Sequence, residues 1–231
     1  MSETELRCVH CGCKVGRLVV QYSPGNIRLI KCEKCKLVAD PYIECEFMIV
    51  FIDLILHKEK AYRHLLYNML NWDLVSEEGL LWKSTIIYIV LDGCRYLFLS
   101  EFKEELRASR NLLFPIWICT KVCLSVVLGN VMFLATLFLL ISLSQTVRLR
   151  RVFQAILFSS YLKIFLVAMM VWEFPTTVIF IIDIFVLSSN AVALKVLMQL
   201  PIANCTLVCI GAHVAKFITC TVFTNLNYAW L

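Results

Sequence analysis

Apolar runs of different lengths, each ended by polar residues, divide this chain into three zones. Residues 1–44 are polar, with short apolar stretches at Leu18–Tyr22 and Ile27–Ile30 on either side of Ser23-Pro24-Gly25-Asn26. That pattern predicts two short strands joined by a turn. From Phe47 to Leu56 every residue is apolar except Asp53. The polar group His57, Lys58, Glu59, Lys60, Arg63 and His64 follows, with Tyr62, Leu65, Leu66 and Met69 at helical spacing. Residues 45–72 therefore read as an amphipathic helix, with Glu59 and Arg63 one turn apart as a favourable pair. It either lies at a membrane interface or packs on a helical bundle.

Long apolar runs begin after the polar break at 73–79. Residues 80–99 carry Lys83, Asp92 and Arg95 and fit either a span or a re-entrant helix. A mixed-charge linker at 101–111 leads into 112–147, where no charge occurs between Val122 and Val147. Pro115 and Gly129 leave open a re-entrant hairpin there. Arg148, Arg150 and Arg151 stop the run, and by the positive-inside bias they face the cytosol. Three further spans are expected at 152–173, 176–195 and 196–225, the first two joined by a turn at Glu173-Phe174-Pro175. An even number of crossings between the head and the arginines would place both in the cytosol, and counting 80–99 as a span gives that number.

Composition agrees with this division. The chain is 60% hydrophobic, against about 45–50% in ordinary globular domains. The net charge of +5 fits contact with anionic lipid better than nucleic-acid binding. Met1 to Cys13 contain no apolar core of a signal peptide, so the cysteines are expected to be reduced. The fold class is then mainly α: a polytopic helical bundle with a small N-terminal zinc-ribbon-like β head and an amphipathic interfacial helix.

Among the twelve cysteines, two pairs carry a pattern. Cys8-x2-Cys11 and Cys32-x2-Cys35 are separated by 20 residues, the spacing of a four-thiolate zinc site. Four sulfurs close the tetrahedron and leave no position for substrate, so the zinc is structural. Its binding supplies folding free energy to a head too small to fold alone. His10 and Cys13 lie close enough to substitute, and Cys45 stands where the chain enters the membrane. Cys119 with Cys123, and Cys205, Cys209 and His213, recur at helical spacing and read as packing residues.

Lys163 and Asp183 each lie ten residues from Glu173. In an antiparallel hairpin they reach the same depth, about 15 Å from the turn, which favours an intramembrane ion pair; the alternative is that each faces another neighbour or a wet groove. Leu157, Tyr161 and Lys163 fit the loose pattern proposed for cholesterol contact. No catalytic motif is present, so a non-enzyme is expected.

A longer set of residues resembles a known family. Cys8-Val9-His10-Cys11-Gly12, Gln21 to Leu29, Lys31-Cys32-x2-Cys35, Val38-Ala39-Asp40-x-Tyr42-Ile43-Glu44, Phe51 to His57 and Ala61 to Asn68 are similar to the Arv homology region. Trp172-Glu173-Phe174-Pro175 and the stretch from Ser188 to Lys195 resemble its plant branch. The resemblance implies an endoplasmic reticulum membrane protein of sterol uptake, trafficking and distribution, with effects on sphingolipids. It also implies an alternative role beside a membrane enzyme complex of glycosylphosphatidylinositol synthesis. It carries over Cys8, Cys11, Cys32 and Cys35 as zinc ligands and makes membrane lipids, sterols above all, the expected partners.

Overall fold

The computed structural model describes residues 6–23, 26–70, 78–99, 113–142, 149–172, 175 and 177–228. The linker at 101–111, most of the polar break at 73–79, Arg148 and the Glu173-Phe174 turn lie outside these residues.

The head is a two-stranded antiparallel hairpin, β1 (Val19–Ser23) and β2 (Asn26–Leu29), framed by two cysteine knuckles. The knuckles share one construction. Gly12 N–H donates to the Cys8 carbonyl at 2.9 Å and Lys36 N–H to the Cys32 carbonyl at 2.8 Å. The residue after each second cysteine turns left-handed, Gly12 at φ 74° and Lys36 at φ 61°. Glycine takes that conformation freely, while a lysine is strained by about 1 kcal/mol.

Residues 45–72 do not form one helix. A 3₁₀ turn (Pro41–Glu44) leads into α1 (Phe47–Ile55), then a break, then α2 (Glu59–Arg63), which runs on as a π-helical turn (His64–Met69). His57, at φ 55°, makes the break. The two halves also meet different surroundings. Phe47, Met48, Ile49 and Ile52 on α1 and Leu56 just after it are exposed, whereas Tyr62, Leu66 and Tyr67 are buried against Ala193 and Val196. The bundle-packed reading therefore describes the second half, and the apolar face of α1 stays open.

The bundle consists of α3 (Glu78–Leu99), α4 (Leu113–Ser142), α5 (Leu149–Ser159), a 3₁₀ stretch (Ser160–Ile164), α6 (Phe165–Val171), α7 (Thr177–Met198) and α8 (Ile202–Tyr228). Four stretches are long and apolar enough to cross a membrane: Cys119–Ser142, Arg150–Ala168, Thr177–Met198 and Ile202–Phe223. This makes the chain a multi-pass membrane protein. The re-entrant alternative for 112–147 does not form. Pro115 falls in the first turn of α4, where a missing N–H costs nothing. Gly129 makes a close approach instead of a turn: a Cβ there would lie 2.6 Å from Cys220 Sγ on α8.

Neighbouring helices run in opposite senses. Gly129 of α4 meets Cys220 of α8 while Leu140 meets Gly211. Leu162 and Leu166 pack on Ile179, Ile182 and Val186 of α7. Ile141, Val152, Met198 and Cys205 share one core cluster, so the end of α4, the start of α5, the end of α7 and the start of α8 lie together. Ala155, Ala193 and Val196 join Val9 and Tyr62 in another. The cysteine head therefore sits at this end of the bundle, where Arg150 and Arg151 open α5.

Candidate functional site

The four cysteines converge. Cys8 Sγ lies 3.7 Å from Cys35 Sγ and Cys11 Sγ 3.6 Å from Cys32 Sγ, and all four sulfurs fall within 4.8 Å of one another. A tetrahedron of sulfurs around an ion at 2.3 Å has edges of about 3.8 Å. The contacts are far longer than a disulfide of about 2.05 Å, and all twelve cysteines are free thiols. The set thus fits a tetrahedral ion of zinc's size. Burial pushes the Cys8 thiol up to about 12, and a hydrogen bond from the Cys13 backbone holds Cys11 down at about 6. Cys11 therefore ionises more readily than Cys8. His10 and Cys13 stay outside the cluster, which is the one metal-ligating group of three or more among the described residues.

One buried carboxylate fixes this head to the bundle. Asp40 caps the 3₁₀ turn through Oδ1, which accepts from Tyr42 N–H at 3.1 Å. Its Oδ2 accepts from Asn68 Nδ2 at 2.5 Å and lies 2.7 Å from His64 Nδ1. His64 and Asn68 are four residues apart, and the π-helical turn carries both to the same face. Asn68 also clamps the backbone of Arg7, accepting from its N–H and donating to its carbonyl, both at 3.0 Å. Arg63 donates to the carbonyls of Val9 and His10 at 2.9 and 3.1 Å, and its other terminal nitrogen meets Glu59. Glu59 pairs with Lys195 of α7. Tyr62 then shares a 2.8 Å hydrogen bond with Ser189 of α7. The chain of contacts runs from thiolate knuckle to π-helical turn to α7.

A second polar constellation lies inside the bundle. Lys163 Nζ donates to Asp92 Oδ1 at 2.6 Å, and Lys216 pairs with the other oxygen of the same carboxylate. Lys216 also donates to Asn130 Oδ1 at 2.8 Å. Arg95 holds Asp183 bidentately, Nε to Oδ1 at 2.9 Å and an Nη to Oδ2 at 2.6 Å. The expected Lys163–Asp183 pair therefore does not form. The cause is α3, which lies against the hairpin and presents Asp92 and Arg95 three residues apart. It gives each half of the expected pair a partner of its own. The 3₁₀ stretch turns Lys163 toward α3, with its ammonium 3.7 Å over the Tyr88 ring.

Beside this layer is an apolar pocket of about 180 Å³ between α3, α4 and α5. Tyr88, Asn130, Val127, Val131, Phe133 and Ile156 are among its lining. Leu157 also lines it, but Lys163 of the cholesterol-type pattern is turned inward to Asp92 and Tyr161 packs edge-on against Phe51. Cys205 and Cys209 are buried packing residues, and His213 stands edge-on to Phe133 at 4.9 Å.

Sequence reasoning found the thiolates, carried Asp40 and Asn68 only as parts of the family-like motifs with no role assigned, and missed Asn130. Only the tertiary contacts connect these three polar positions to their partners.

Known proteins share this sequence over most of its length. The chain is 46% identical over 225 residues to Protein ARV 1 of Arabidopsis thaliana, covering 96% of this chain and 91% of that protein. It is 47% identical over 219 residues to Protein ARV 2 of the same plant, covering 94% and 95%. Protein arv1 homolog of Dictyostelium discoideum is 34% identical over 209 residues, covering 83% of this chain and 84% of that protein. No solved structure gives a significant match. The family model described as the Arv1-like family matches residues 7–194, which include all four clustered cysteines, Asp40, Asn68, Asp92 and Asp183, and the chain belongs to that family.

Proposed function

We propose that this chain mediates sterol homeostasis in the endoplasmic reticulum membrane, acting in sterol uptake, trafficking and distribution with effects on sphingolipids. Membership of the Arv1-like family carries the reading. The architecture supports it: a head with no open ligand position, docked on a bundle that holds an apolar pocket and a buried polar layer. Cys8, Cys11, Cys32 and Cys35 hold structural zinc, whose chemistry here is to fold the head. A site closed by four sulfurs gives no Lewis-acid position, so this reading gives the head no catalytic role. Arg150 and Arg151 stand at the head's end of the bundle, which supports a cytosolic head by the positive-inside bias. The test is sterol transfer between donor and acceptor vesicles by the purified full chain. Transfer dependent on the chain is expected; transfer at the protein-free rate, with folded chain in the donor vesicles, would overturn direct transport.

The second reading is a scaffold beside a membrane enzyme complex of glycosylphosphatidylinositol synthesis. The observation favouring it is the head's outer surface, where Tyr22, Ile27 and Leu37 are exposed. This reading expects enzyme subunits to co-purify with the chain, and to be lost when Tyr22 and Leu37 are made polar.

A further inference from the structure

The knuckles and the hairpin form one layer, and only one edge of it is clamped. Val9 N–H donates to the Ala39 carbonyl at 2.9 Å, Ala39 N–H to Ile30 at 2.8 Å and Ile30 N–H to Leu18 at 2.9 Å. These segments lie abreast, and at about 4.8 Å per spacing Leu18 stands about 14 Å from Val9. Arg63 and Asn68 hold the edge from Arg7 to Val9. Contacts with α7 move toward its last turn as they approach that edge. His57 meets Ser188, Tyr62 meets Ser189, and the Tyr67 hydroxyl reaches the Val196 and Leu197 carbonyls at 3.4 and 3.5 Å. The Arg7 guanidinium then lies 4.4 Å over the Tyr67 ring. The head is thus clamped at the end of α7, and β1 and β2 form its edge remote from the clamp.

That remote edge is uncovered. Every β1 residue is exposed except half-buried Val20, although a two-stranded hairpin alone is marginal in water. Its exposed side chains are graded from tip to base. Tyr22 and Ile27, 70% and 54% exposed, flank the turn, and Arg28 lies 5.9 Å over the Tyr22 ring. Arg17 and Lys31 stand at the base, and Lys34 and Lys36 in the knuckle beside it, all exposed. Glu33 is the one exposed carboxylate among the described residues from 6 to 40. The core of a protein interface is depleted of charge. Here Ile27 and Leu37 adjoin Arg28 and Lys36 in the chain, so cations interleave the apolar positions. Anionic lipid attracts such groups, each strengthening binding about fivefold near the surface, and tyrosine settles at headgroup level.

We propose that this hairpin and the knuckle beside it dock on the anionic surface of a second bilayer, one that faces the membrane holding the bundle. Tyr22 and Ile27 enter its headgroup layer, and Arg17, Arg28, Lys31 and Lys34 meet its phosphates and carboxylates. The chain's own bilayer lies on the clamped side of the head, and the basic edge is on the other. The proposal deepens the sterol-transfer reading, on which its purpose rests, by naming the second membrane as an anionic one.

The test mixes the full chain in phosphatidylcholine nanodiscs with vesicles of phosphatidylcholine, plain or doped with phosphatidylserine, and measures capture by flotation. Capture by the doped vesicles should be stronger by about tenfold or more, and should weaken as salt is raised. Arg17→Gln with Lys34→Gln should lower it about 25-fold, at about fivefold per basic group, with bound metal unchanged. Tyr22→Ser with Ile27→Ser should lower the capture that remains at high salt by about tenfold. Equal capture of the two vesicles, or a preference that the Arg17 and Lys34 substitutions leave in place in metal-loaded protein, overturns the docking. Hydrogen exchange separates the two bilayers. Protection of the hairpin amides by phosphatidylserine in the nanodisc itself, with no vesicle added, gives the surface to the chain's own membrane and overturns the proposal. Absent capture, with enzyme subunits retained until Tyr22 is made polar, gives it to a protein and does the same. Sterol transfer is scored separately in the same mixtures. Transfer without capture sinks the docking alone, while capture without transfer upholds the docking and sinks the transfer reading.

Discussion

Asp40→Asn should undock the head from the bundle without unfolding it. The substitution keeps an acceptor for Tyr42 N–H but replaces Oδ2, which serves Asn68 Nδ2 and lies against His64 Nδ1. An NH₂ group then meets the Asn68 amide. Hydrogen bonds to a charged acceptor contribute about 1.5–3 kcal/mol each. Asn68 keeps its two bonds to the Arg7 backbone, and Arg63 keeps Val9 and His10, so part of the interface survives. The net loss is about 3 kcal/mol, or about two decades in the docked-to-open ratio. Hydrogen exchange reads that ratio directly. The Arg7 amide, bonded to Asn68 Oδ1 across the interface, should lose about a hundredfold in protection. The Ile30 amide, bonded inside the head to Leu18, should change little, and bound metal should stay constant. If Arg7 protection changes less than threefold, or Ile30 falls with it, the carboxylate is not what holds the head in place.

Three further outcomes follow from the same contacts. Cys32→Ser should abolish metal binding measured by mass spectrometry, while Cys13→Ser, outside the cluster, should retain one ion per chain. Asp92→Asn strands two lysines and should cost about 3–5 kcal/mol, cutting folded yield in detergent more than Asp183→Asn, which strands only Arg95; equal yields would contradict the layer. The Lys58 hydrogen bond holds Asp53 below its ordinary carboxylate value of 3.8. A lowered folded-state pKa gives stability that is present above 3.8 and lost as pH falls through the folded value, so the α1–α2 corner should loosen only in acid below about pH 4. Asp53→Asn should remove that acid-dependent step in hydrogen exchange of the corner amides.

How far the sequence reaches depends on the range of each interaction. The metal cluster was legible because each CxxC knuckle is local: four residues, one turn and one left-handed residue bring two sulfurs together, and only the pairing of knuckles is long-range. The hairpin was legible for the same reason, with its strands flanking a turn signal. The apolar runs were legible because membrane thickness sets their length. The continuity of residues 45–72 was misread because His57 is not a residue type that announces a left-handed break. The partners of Lys163 and Asp183 were left open between two readings for another reason. Depth follows from counting residues along a hairpin, and Lys163, Asp183 and Lys216 do share a depth. Choice of partner follows from rotation and from which third helix lies alongside, and α3 decided it. Asn130 is a single polar position in an apolar run, and nothing near it in sequence connects it to Lys216, 86 residues away.

The helix α7 bears both constellations, which raises the question of whether the head controls the layer. Its Lys195 meets Glu59, its Ser189 meets Tyr62, and six residues before Ser189 in the chain stands Asp183, the partner of Arg95. Coupling between two sites needs an element with two arrangements, and a packed helix with one set of partners transmits position only. Ser189 also donates to the Ser159 carbonyl at 2.5 Å, and Ser159 donates to Asn190 Oδ1 at 2.5 Å, so α7 is tied to α5 independently of the head. Tyr62 and Tyr67 are buried in that same contact and do not depend on the thiolates. Removal of a metal ion from the four cysteines should therefore melt residues 6–40 and leave the bundle folded. In detergent, thermal unfolding followed by head-specific and bundle-specific hydrogen exchange should show two transitions, with a chelator abolishing the first and shifting the second by less than about 3 °C, the shift expected for less than 1 kcal/mol in a chain this long. A single transition that moves as a whole under chelation would mean that the metal holds the entire fold, and that α7 has a second packing which the head selects.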